Sequence, residues 1–570
     1  MKKSRHKDGR FAKIKALFSA GQVTEAWHMA REALRHDAHN AALLNLAAVC
    51  AAQLGQPAQA EACWRRVLVE APDFVDVYNN LGILLHEQQR LSEAETLFRT
   101  ALHLHPGYAE AHLNLGNLLH ACKRFVEAEE AYRETLRLRP DLVQAHNNLG
   151  SLLHGAGRLA EAEACFQEAL RQQPACVETH NNYGNLLDKL QRHVEAEAHF
   201  RLALHLAPQQ VVGHLNLGNL LDKLGRLDEA ISAYLAVLRQ RPHDADALFY
   251  LSLTLLAQGR FREGWPLYEY RYHIGKKEPI LMLPALPFPQ WQGENLAGKS
   301  LLVWPEQGYG DMIQFGRFLP ILKELGVRNI TLVCKKPLQA LFGGLPGVDQ
   351  VLVEAPLAGM VIPHHDAWTL LLSIPLHLGI VQENIPDRLP YLHPLPERIA
   401  AWASRIPPGK CRVGLVWRGN PGHLNDACRS LPGLDILAPL WSVAGVVFIG
   451  LQHPSGAGSP LIPPPGQPLL NLGSEVTDFA DTAAIIAQLD LVIGVDTAVM
   501  HLAGALGKPC WVLLPSIGID WRWLEHRPDS PWYPGIMRLF RQKENQDWTT
   551  VVQDVRLALQ DFVNHGCSRG

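Results

Sequence analysis

The feature that most constrains the fold of this 570-residue chain is a 34-residue period in its first half. Leu-Gly or Tyr-Gly pairs keep this spacing from Leu81 to Leu217, and prolines keep it from Pro72 to Pro242. An aromatic column shares the phase and consists of Phe98, Tyr132, Phe166, Phe200 and Tyr234. Since small residues let helices approach closely and proline ends a helix, each period predicts two helices separated by a turn.

These columns resemble the tetratricopeptide repeat. Weaker repeats around Gly21 and Gly55 extend the array towards the N-terminus. The resemblance implies an α-solenoid over residues 1–270, with a concave groove that holds a peptide or a protein surface.

One polar column points beyond scaffolding. The same place in the first helix of successive repeats is taken by Asn80, Asn114, Asn148, Asn182 and Asn216. A carboxamide both donates and accepts, so a row of them can bind the backbone of an extended chain whatever its side chains are. The column is similar to the asparagine ladder of O-GlcNAc transferase, which implies acceptor binding. The alternative is that each asparagine bonds only its neighbouring turn.

Histidines also recur in columns, for example His112, His146 and His180. Members of a column lie one repeat apart, a gap that a Zn–N bond of ~2 Å cannot bridge. We therefore interpret them as polar residues that line the groove, and we predict no metal site.

The composition changes near residue 270. Residues 1–270 hold 8 of the 39 prolines and 3 of the 14 tryptophans, and the rest follow. After a proline-rich connector over residues 271–298, short apolar runs alternate with helical segments, which predicts parallel sheets covered on both faces. The runs are Ser300–Trp304, Ile330–Cys334 and Gln350–Val353, and then Arg412–Trp417, Val446–Leu451, Leu491–Val495 and Cys510–Leu514.

These two sets of runs predict an α/β domain of two Rossmann-like lobes separated by a cleft, as in the GT-B architecture. The N-terminal lobe would span residues 299–396 and the C-terminal lobe residues 397–570, with a helix at its end. The GT-B likeness implies that the first lobe faces the acceptor and that the second binds the nucleotide sugar. In open parallel sheets the ligand lies beyond the carboxyl ends of the strands, so the motifs directly after the runs matter most.

The first such motif is Glu306-Gln-Gly-Tyr-Gly-Asp311. Gly308 and Gly310 let the backbone turn tightly and approach the donor, and Asp311 falls where a helix begins. A carboxylate at that place is either a helix cap or a general base facing the cleft.

The second motif is Gly494-Val-Asp-Thr-Ala-Val-Met-His501. Free amides at the start of the helix after Asp496 can bind a diphosphate, and the Asp496 carboxylate can accept hydrogen bonds from sugar hydroxyls. By itself, however, Asp-Thr before a helix is only a cap.

Together the two motifs resemble the heptosyltransferase group, which are inverting GT-B enzymes. The whole chain is more closely similar to bacterial proteins that fuse tetratricopeptide repeats to such a domain. The resemblance implies that Asp311 is the catalytic base and that Asp496, Thr497 and His501 bind the donor. It also implies a cation after the first strand of the C-terminal lobe, which neutralises the leaving diphosphate.

That cation is a lysine in heptosyltransferases, whereas this chain has Trp417-Arg-Gly-Asn420 and then Arg429. We expect Arg418, Asn420 and Arg429 to contact the donor, because arginine forms bidentate bonds to phosphate. The departure leaves the sugar and the nucleotide open.

Other expectations come from absences and from aromatic residues. No Asp-x-Asp follows residue 270, so we expect a nucleotide-sugar co-substrate and neither a metal nor another cofactor.

Trp521, Trp523 and Trp532 stack on a nucleobase or, as buried tryptophans more often do, belong to the core.

Composition excludes several classes of protein. A formal charge of −3 provides no basic field for nucleic acid. Apolar runs such as Leu491–Val495 fall far short of the ~20 residues that span a bilayer, so no membrane insertion is expected. Ten cysteines without a regular framework indicate a reducing compartment. The basic start of the chain is not followed by an apolar stretch, so we predict a cytoplasmic protein without a secretory signal.

These observations predict a cytoplasmic, inverting, metal-independent glycosyltransferase that modifies a polypeptide held in the repeat groove. By resemblance, flagellar or surface proteins are plausible acceptors. One alternative is an interaction scaffold whose transferase domain is inactive. Another is transfer to a carbohydrate or lipid acceptor, as the heptosyltransferase likeness alone suggests.

Overall fold

A computed structural model describes residues 2–274, 283–409, 411–422, 425–453, 466–543 and 547–565. It divides into two compact units, residues 1–213 and 214–570. Part of the proline-rich connector, residues 275–282, lies outside the described residues.

Paired helices follow one another from the N-terminus to residue 268, which confirms the predicted repeat array. They are α1 (Lys2–Ser19), α2 (Val23–His36), α3 (Ala41–Gln53), α4 (Pro57–Glu70), α5 (Val75–Glu87), α6 (Leu91–Leu104), α7 (Ala109–Ala121), α8 (Phe125–Leu138), α9 (Val143–Gly155), α10 (Leu159–Gln172), α11 (Val177–Lys189), α12 (His193–Leu206), α13 (Val211–Lys223), α14 (Leu227–Gln240), α15 (Ala245–Ala257) and α16 (Phe261–Tyr268). A 3-10 turn at Glu269–Tyr272 ends the array.

The glycine column and the aromatic column of the sequence are two sides of one contact. A Cβ added to Gly150 in α9 would lie 2.7 Å from the Phe166 ring of α10, and one added to Gly184 would lie 2.5 Å from Phe200. No carbon approaches another so closely without displacement, so the glycine is what lets the aromatic ring lie against the first helix.

An arginine recurs every 34 residues, from Arg90 to Arg260, at the turn between the two helices of a repeat. The residue before each turn arginine has a left-handed backbone, with φ 64° at Gln89 and 77° at Gly157. The arginine then joins successive repeats: Arg124 donates to Glu95 of the preceding repeat at 2.8 Å and to Glu127 of its own.

The second unit contains two parallel sheets, which confirms the α/β class. The first sheet has the strand order β3-β2-β1-β4 and the second has the order β10-β9-β8-β5-β6-β7. The strands are β1 (Ser300–Trp304), β2 (Asn329–Cys334), β3 (Gln350–Val353), β4 (Ala367–Leu370), β5 (Cys411–Val416), β6 (Val446–Gly450), β7 (Leu470–Asn471), β8 (Leu491–Val495), β9 (Cys510–Leu514) and β10 (Met537–Arg541). The sequence patterns had not predicted β4, β7 or β10.

Helices cover the sheets. They are α17 (Tyr309–Phe315), α18 (Phe318–Glu324), α19 (Gln339–Phe342), α20 (Ile374–His377), α21 (Pro396–Ala403), α22 (Asp426–Arg429), α23 (Phe479–Ala487), α24 (Ala498–Ala505) and α25 (Trp548–His565). The described end of the connector pairs with β4, because Trp291 donates its backbone N–H to the Trp368 carbonyl and Trp368 donates to Pro289. This part of the connector is therefore packed structure that extends the first sheet.

One apolar core joins the last repeat to both sheets. It contains Phe261 and Trp265 of α16, Phe315 of α17, and Trp521 and Trp532 from the second lobe. Trp265 packs edge-on against Trp521 at a centroid distance of 5.5 Å. The last helix pair of the array is therefore built into the unit that contains the two sheets.

The glycine column provides a test of the repeat packing. We expect Gly150→Ala to destabilise the first unit by ~1–3 kcal/mol, because the added methyl group would overlap the Phe166 ring. Gly155→Ala in the same helix is the matched control, since nothing lies within 4 Å of its Cβ. Alanine there should stabilise the helix by up to ~1 kcal/mol. Urea denaturation followed by circular dichroism measures both changes, and equal midpoints for the two variants would contradict this packing.

Candidate functional site

The two sequence motifs meet where α17 packs on α24. Gly310 lies at the contact: a Cβ there would be 3.0 Å from His501 Cδ2 and 3.5 Å from Ala498 Cα. Only glycine allows this approach without displacing His501. The contact brings the loop after β1 in the first lobe to the loop after β8 in the second.

Asp311 performs the cap role and also faces the opposite lobe. Its Oδ2 accepts a hydrogen bond of 2.7 Å from the Gly308 backbone N–H, which closes a capping arrangement at the start of α17. Its Oδ1 accepts from Nη2 of Arg522. The capping interpretation of Asp311 therefore has a structural basis, and the same carboxylate is held where the two lobes meet.

Arg522 was missed by the sequence analysis. Its side chain is 6% exposed and lies between two carboxylates, Asp311 and Asp520. Nη1 donates to Asp520 Oδ1 at 2.9 Å and to Oδ2 at 3.0 Å. Burial opposes the charge, yet Asp520 and Asp311 hold the pKa of Arg522 above its usual value. The one available signal was an arginine between two tryptophans, Trp521 and Trp523, a pattern that favours a buried cation stacked on an aromatic ring.

His501 is buried and the Asp496 side chain is 18% exposed, and their surroundings shift their pKa values in opposite directions. Burial and the neighbouring Asp520 carboxylate raise the pKa of Asp496 from 3.8 to about 6. Burial, together with the positive charge of Arg522, lowers the pKa of His501 to about 3. At neutral pH this site therefore combines a carboxylate that protonates easily with an uncharged imidazole.

The orientation of His501 is fixed from two sides. Its Nδ1 is 3.1 Å from the Tyr533 hydroxyl, and its ring stacks on Trp523 at 5.1 Å with an interplanar angle of 16°. Its Nε2 is 3.9 Å from Asp496 Oδ1. A ring held in this way presents a neutral hydrogen-bonding nitrogen beside the Asp496 carboxyl group.

Thr497 is the residue before α24. Its backbone is extended and its side chain makes no cap bond. Within the described part of the chain, its Oγ1 is buried and has no hydrogen-bond partner. An unsatisfied buried hydroxyl is costly, so this atom is suited to a polar group of a ligand or a water molecule.

The predicted cations lie in different surroundings. Arg418 is exposed and donates to the backbone carbonyls of Leu431 and Pro432. Arg429 has a side chain that is 16% exposed, and its charge acts on the Asp496 carboxyl group. Of the two arginines, Arg429 is therefore the one placed to act on a ligand at Asp496.

The loop after β5 depends on Gly419 and Asp426. A Cβ on Gly419 would lie 2.7 Å from both Arg429 Nη2 and Asp426 Oδ1, and Ser430 Oγ donates to the same Asp426 oxygen at 2.7 Å. Asn420 is exposed and forms a local turn, because its Oδ1 accepts from the Gly422 N–H at 3.0 Å.

The three tryptophans considered as nucleobase platforms belong to the core. Trp521 is 6% exposed, and Trp523 and Trp532 are fully buried. Their rings pack on protein side chains, so the core interpretation is confirmed.

The asparagine column forms contacts between repeats in the first unit. Asn114 donates to Asn79 at 2.9 Å, Asn148 donates to Asn117 at 2.7 Å, and Asn182 donates to Asn147 at 3.0 Å. Each of these three carboxamides donates to a neighbouring repeat rather than to its own turn, and Asn148 also accepts from Asn147 at 3.4 Å. The half-buried Asn80 and Asn216 occupy the corresponding positions in α5 and α13.

The histidine column is structural. His112, His146 and His180 each donate Nε2–H to the carbonyl of the proline six residues earlier, at 2.9–3.0 Å. Among the described residues, no group of three or more His, Cys, Asp or Glu side chains is arranged to hold a metal ion.

Protein-family models match parts of both halves of the chain. Models of the tetratricopeptide repeat match residues 51–109, 85–149, 147–211 and 215–269. The model of glycosyltransferase family 9 (heptosyltransferase) matches residues 471–513. The family 9 segment contains β8, Asp496 and α24. The chain thus combines tetratricopeptide repeats with a segment of a glycosyltransferase family.

A curated protein is similar to part of this chain. Protein FlbA of Caulobacter vibrioides is 30% identical over 349 residues, which is 56% of this chain and 56% of FlbA. The chain therefore spans about half the length of this relative.

Solved structures similar to this chain include tetratricopeptide arrays. PilF of Pseudomonas aeruginosa is 20% identical, with 37% of this chain and 97% of PilF covered and a TM-score of 0.35. A tetratricopeptide repeat protein of Parabacteroides merdae is 16% identical, with 44% and 99% covered and a TM-score of 0.38. TM-scores this low carry no argument about function. No helix in the described residues has the length and apolarity needed to cross a membrane.

The titration of Asp496 provides a test of the site. Its folded pKa of about 6 exceeds the 3.8 of a free carboxyl group, so the folded state keeps a proton that the unfolded chain has already lost. Ionisation therefore costs stability as the pH rises from about 4 through about 6. We therefore expect the free energy of unfolding of Asp496→Asn, relative to that of wild type, to increase by ~1–3 kcal/mol as the pH rises from about 4.5 to about 7.5.

Urea unfolding of both proteins at the two pH values measures this difference. Asp554→Asn, which alters an exposed residue of α25, is the control and should show no such change. A stability difference for Asp496→Asn that does not vary with pH would contradict the assignment of a buried, easily protonated Asp496.

Proposed function

We propose that this protein is a glycosyltransferase that moves a sugar from a nucleotide-sugar donor to a polypeptide. The observation that carries the proposal is that α24, within the segment matched by glycosyltransferase family 9, packs on α17, whose first turn contains Asp311. The site then has a carboxylate from one lobe facing an arginine and a second carboxylate from the other.

The donor binds at the second lobe. The amides at the start of α24 and the unpartnered Thr497 hydroxyl accommodate the diphosphate, and Asp496 accepts hydrogen bonds from sugar hydroxyls. Arg429 and Arg522 supply positive charge beside these groups. Arginine suits a leaving diphosphate because its guanidinium forms paired bonds to phosphate oxygens. The donor sugar and its nucleotide remain open.

The reaction is a single displacement with inversion. Asp311 takes the proton of the acceptor group, whose heteroatom forms a bond to the anomeric carbon as the bond from that carbon to the diphosphate oxygen breaks. The leaving nucleoside diphosphate keeps the electron pair and is stabilised by the arginines and the helix amides. This scheme uses no metal ion.

The acceptor is a polypeptide held by the repeat groove. Asn114 and Asn182 donate to the neighbouring repeat and keep their carboxamide oxygens for a ligand, which supports recognition of a peptide backbone. Because the chain is continuous, a bound acceptor is tethered to the transferase unit, which raises its effective concentration at the site. A cytoplasmic location and a flagellar or surface protein as the acceptor belong to the same proposal.

Asp311→Asn tests the chemistry. The amide keeps an oxygen that can accept from Gly308 or Arg522 but cannot take a proton, so we expect turnover to fall by ~10²–10⁴-fold with donor affinity within about threefold. Asp349→Asn, outside the site, is the control and should turn over normally; Asp349 lies directly before β3 and accepts a hydrogen bond from the Ile330 N–H of β2. Wild-type protein and both variants are supplied with a panel of nucleotide sugars, and nucleoside diphosphate release and donor binding are measured.

The same experiment separates the alternatives. Wild-type protein that neither binds nor hydrolyses any donor would favour an interaction scaffold with an inactive domain. Transfer to saccharide or lipid acceptors but not to polypeptides would favour the heptosyltransferase-like activity. Full turnover by Asp311→Asn would exclude Asp311 as the base.

Replacing Asn114, Asn148 and Asn182 together by alanine tests the groove. This variant should lose three hydrogen bonds to the acceptor backbone, each worth ~0.5–1.5 kcal/mol. We therefore expect the acceptor KM to rise by about tenfold or more, with donor hydrolysis unchanged. The control replaces Arg133, Gln167 and Arg201 by alanine, which changes the second helices of the same repeats. Equal effects of the two triple variants would contradict a specific role of the asparagine column.

A further inference from the structure

Glu306 is a buried carboxylate directly before the loop that leads to Asp311. Its side chain is fully buried, and it follows Pro305 at the end of β1. Its Oε1 accepts a hydrogen bond of 2.8 Å from the Leu372 backbone N–H. A buried charge is tolerated only when it is paired and hydrogen-bonded, so whatever pairs with Glu306 holds this end of the loop.

The pairing residue comes from the repeat array. Arg271, in the 3-10 turn that ends the array, donates Nε–H to Glu306 Oε2 at 2.7 Å and Nη2–H to Oε1 at 3.1 Å. Its side chain is 3% exposed. It also donates to Glu269 at 2.7 Å and to Ser373 Oγ at 2.8 Å. The paired bonds require the planar guanidinium fork, which lysine lacks.

A second contact joins the array to the loop. Gln307, the next residue, has a left-handed backbone with φ 53°, a conformation that residues other than glycine seldom adopt. Its Nε2 donates to the Tyr268 hydroxyl at 2.8 Å, and Tyr268 is the last residue of α16. The array thus holds two consecutive residues of the segment that ends at Asp311.

We infer that Arg271 is a positioning residue for the transferase reaction, an inference that rests on the proposed function. It acts through Glu306, and with Tyr268 it sets the path of the backbone from β1 to Asp311. The repeat array then supplies part of the catalytic unit besides its groove. This agrees with the division of the molecule, in which the second compact unit begins at residue 214, inside the array.

The test compares Arg271→Lys with Arg260→Lys in the full-length protein. Arg271→Lys keeps the charge that balances Glu306 but cannot form the paired bonds. Arg260 pairs with Glu263 on the surface of the same repeat, with both side chains about half exposed, and serves as the matched control. Measured quantities are kcat and KM for the donor, donor affinity at equilibrium, the unfolding midpoint, and hydrogen exchange of the amides of residues 306–312.

For Arg271→Lys we expect kcat to fall by at least about tenfold, since small displacements of a catalytic group are costly. Donor affinity should stay within about threefold, because the donor contacts lie on the other lobe. Amides of residues 306–312 should exchange faster than in wild type, whereas Arg260→Lys should match wild type throughout. Unchanged kcat and exchange in Arg271→Lys would overturn the inference, as would a parallel loss of kcat, donor affinity and unfolding midpoint.

If Arg271→Lys does not fold, a second variant tests the same inference. Arg271→Met combined with Glu306→Met leaves no unpaired charge between these two positions, and such replacements are often neutral for stability. We expect this protein to fold and bind donor with low kcat, and recovery of wild-type kcat would overturn the inference. If wild-type protein turns over no donor, the proposed function fails, while hydrogen exchange in the variants still decides whether Arg271 orders the loop.

Discussion

The site depends on one apolar core shared by the last repeat and both sheets. Phe261 and Trp265 of α16 lie in the same cluster as Phe315, Trp521 and Trp532, and the Trp265 indole donates to the Ile380 carbonyl at 2.9 Å. Aromatic side chains bury large apolar areas and pack in preferred geometries, so this cluster fixes where α17 and the Trp521–Trp523 turn lie. The positions of Asp311 and Arg522 follow from that packing.

Buried charges make the arrangement specific. Arg522 lies between Asp311 and Asp520, and Arg271 lies between Glu306 and Glu269. Burying an ion pair costs several kcal/mol of desolvation per ion, which is recovered only when the geometry is good and every polar group is bonded. Such pairs tolerate few alternative arrangements, so they order the segments that carry the proposed base. The raised pKa of Asp496 and the lowered pKa of His501 arise from the same exclusion of water.

Local patterns predicted much of the fold. Local sequence specifies a helix pair or a buried strand. The 34-residue columns therefore predicted the repeats, and the apolar runs predicted β1, β2, β3, β5, β6, β8 and β9. Strands β4 and β10 were not predicted; β10 has charged residues at Arg538 and Arg541 that interrupt its apolar run. For the candidate site, Asp311, Asp496, Thr497 and His501 were predicted because they lie in the segments that follow β1 and β8. Arg522, Asp520 and Asp426 were missed because their importance comes from partners distant in sequence.

The sequence by itself determined the repeat array, the two sets of parallel strands and the residues at the strand ends, because hydrophobic period, glycine placement and helix starts act over short distances. Only the tertiary structure decided that Gly310 admits His501, that Arg522 bridges Asp311 and Asp520, and that the array contributes Arg271 beside Glu306. It also decided that Arg429 rather than Arg418 acts on Asp496, and that the tryptophans are core. These outcomes depend on long-range packing and on which charged side chains are packed close together in the interior. Neither can be read from the spacing of residues along one chain.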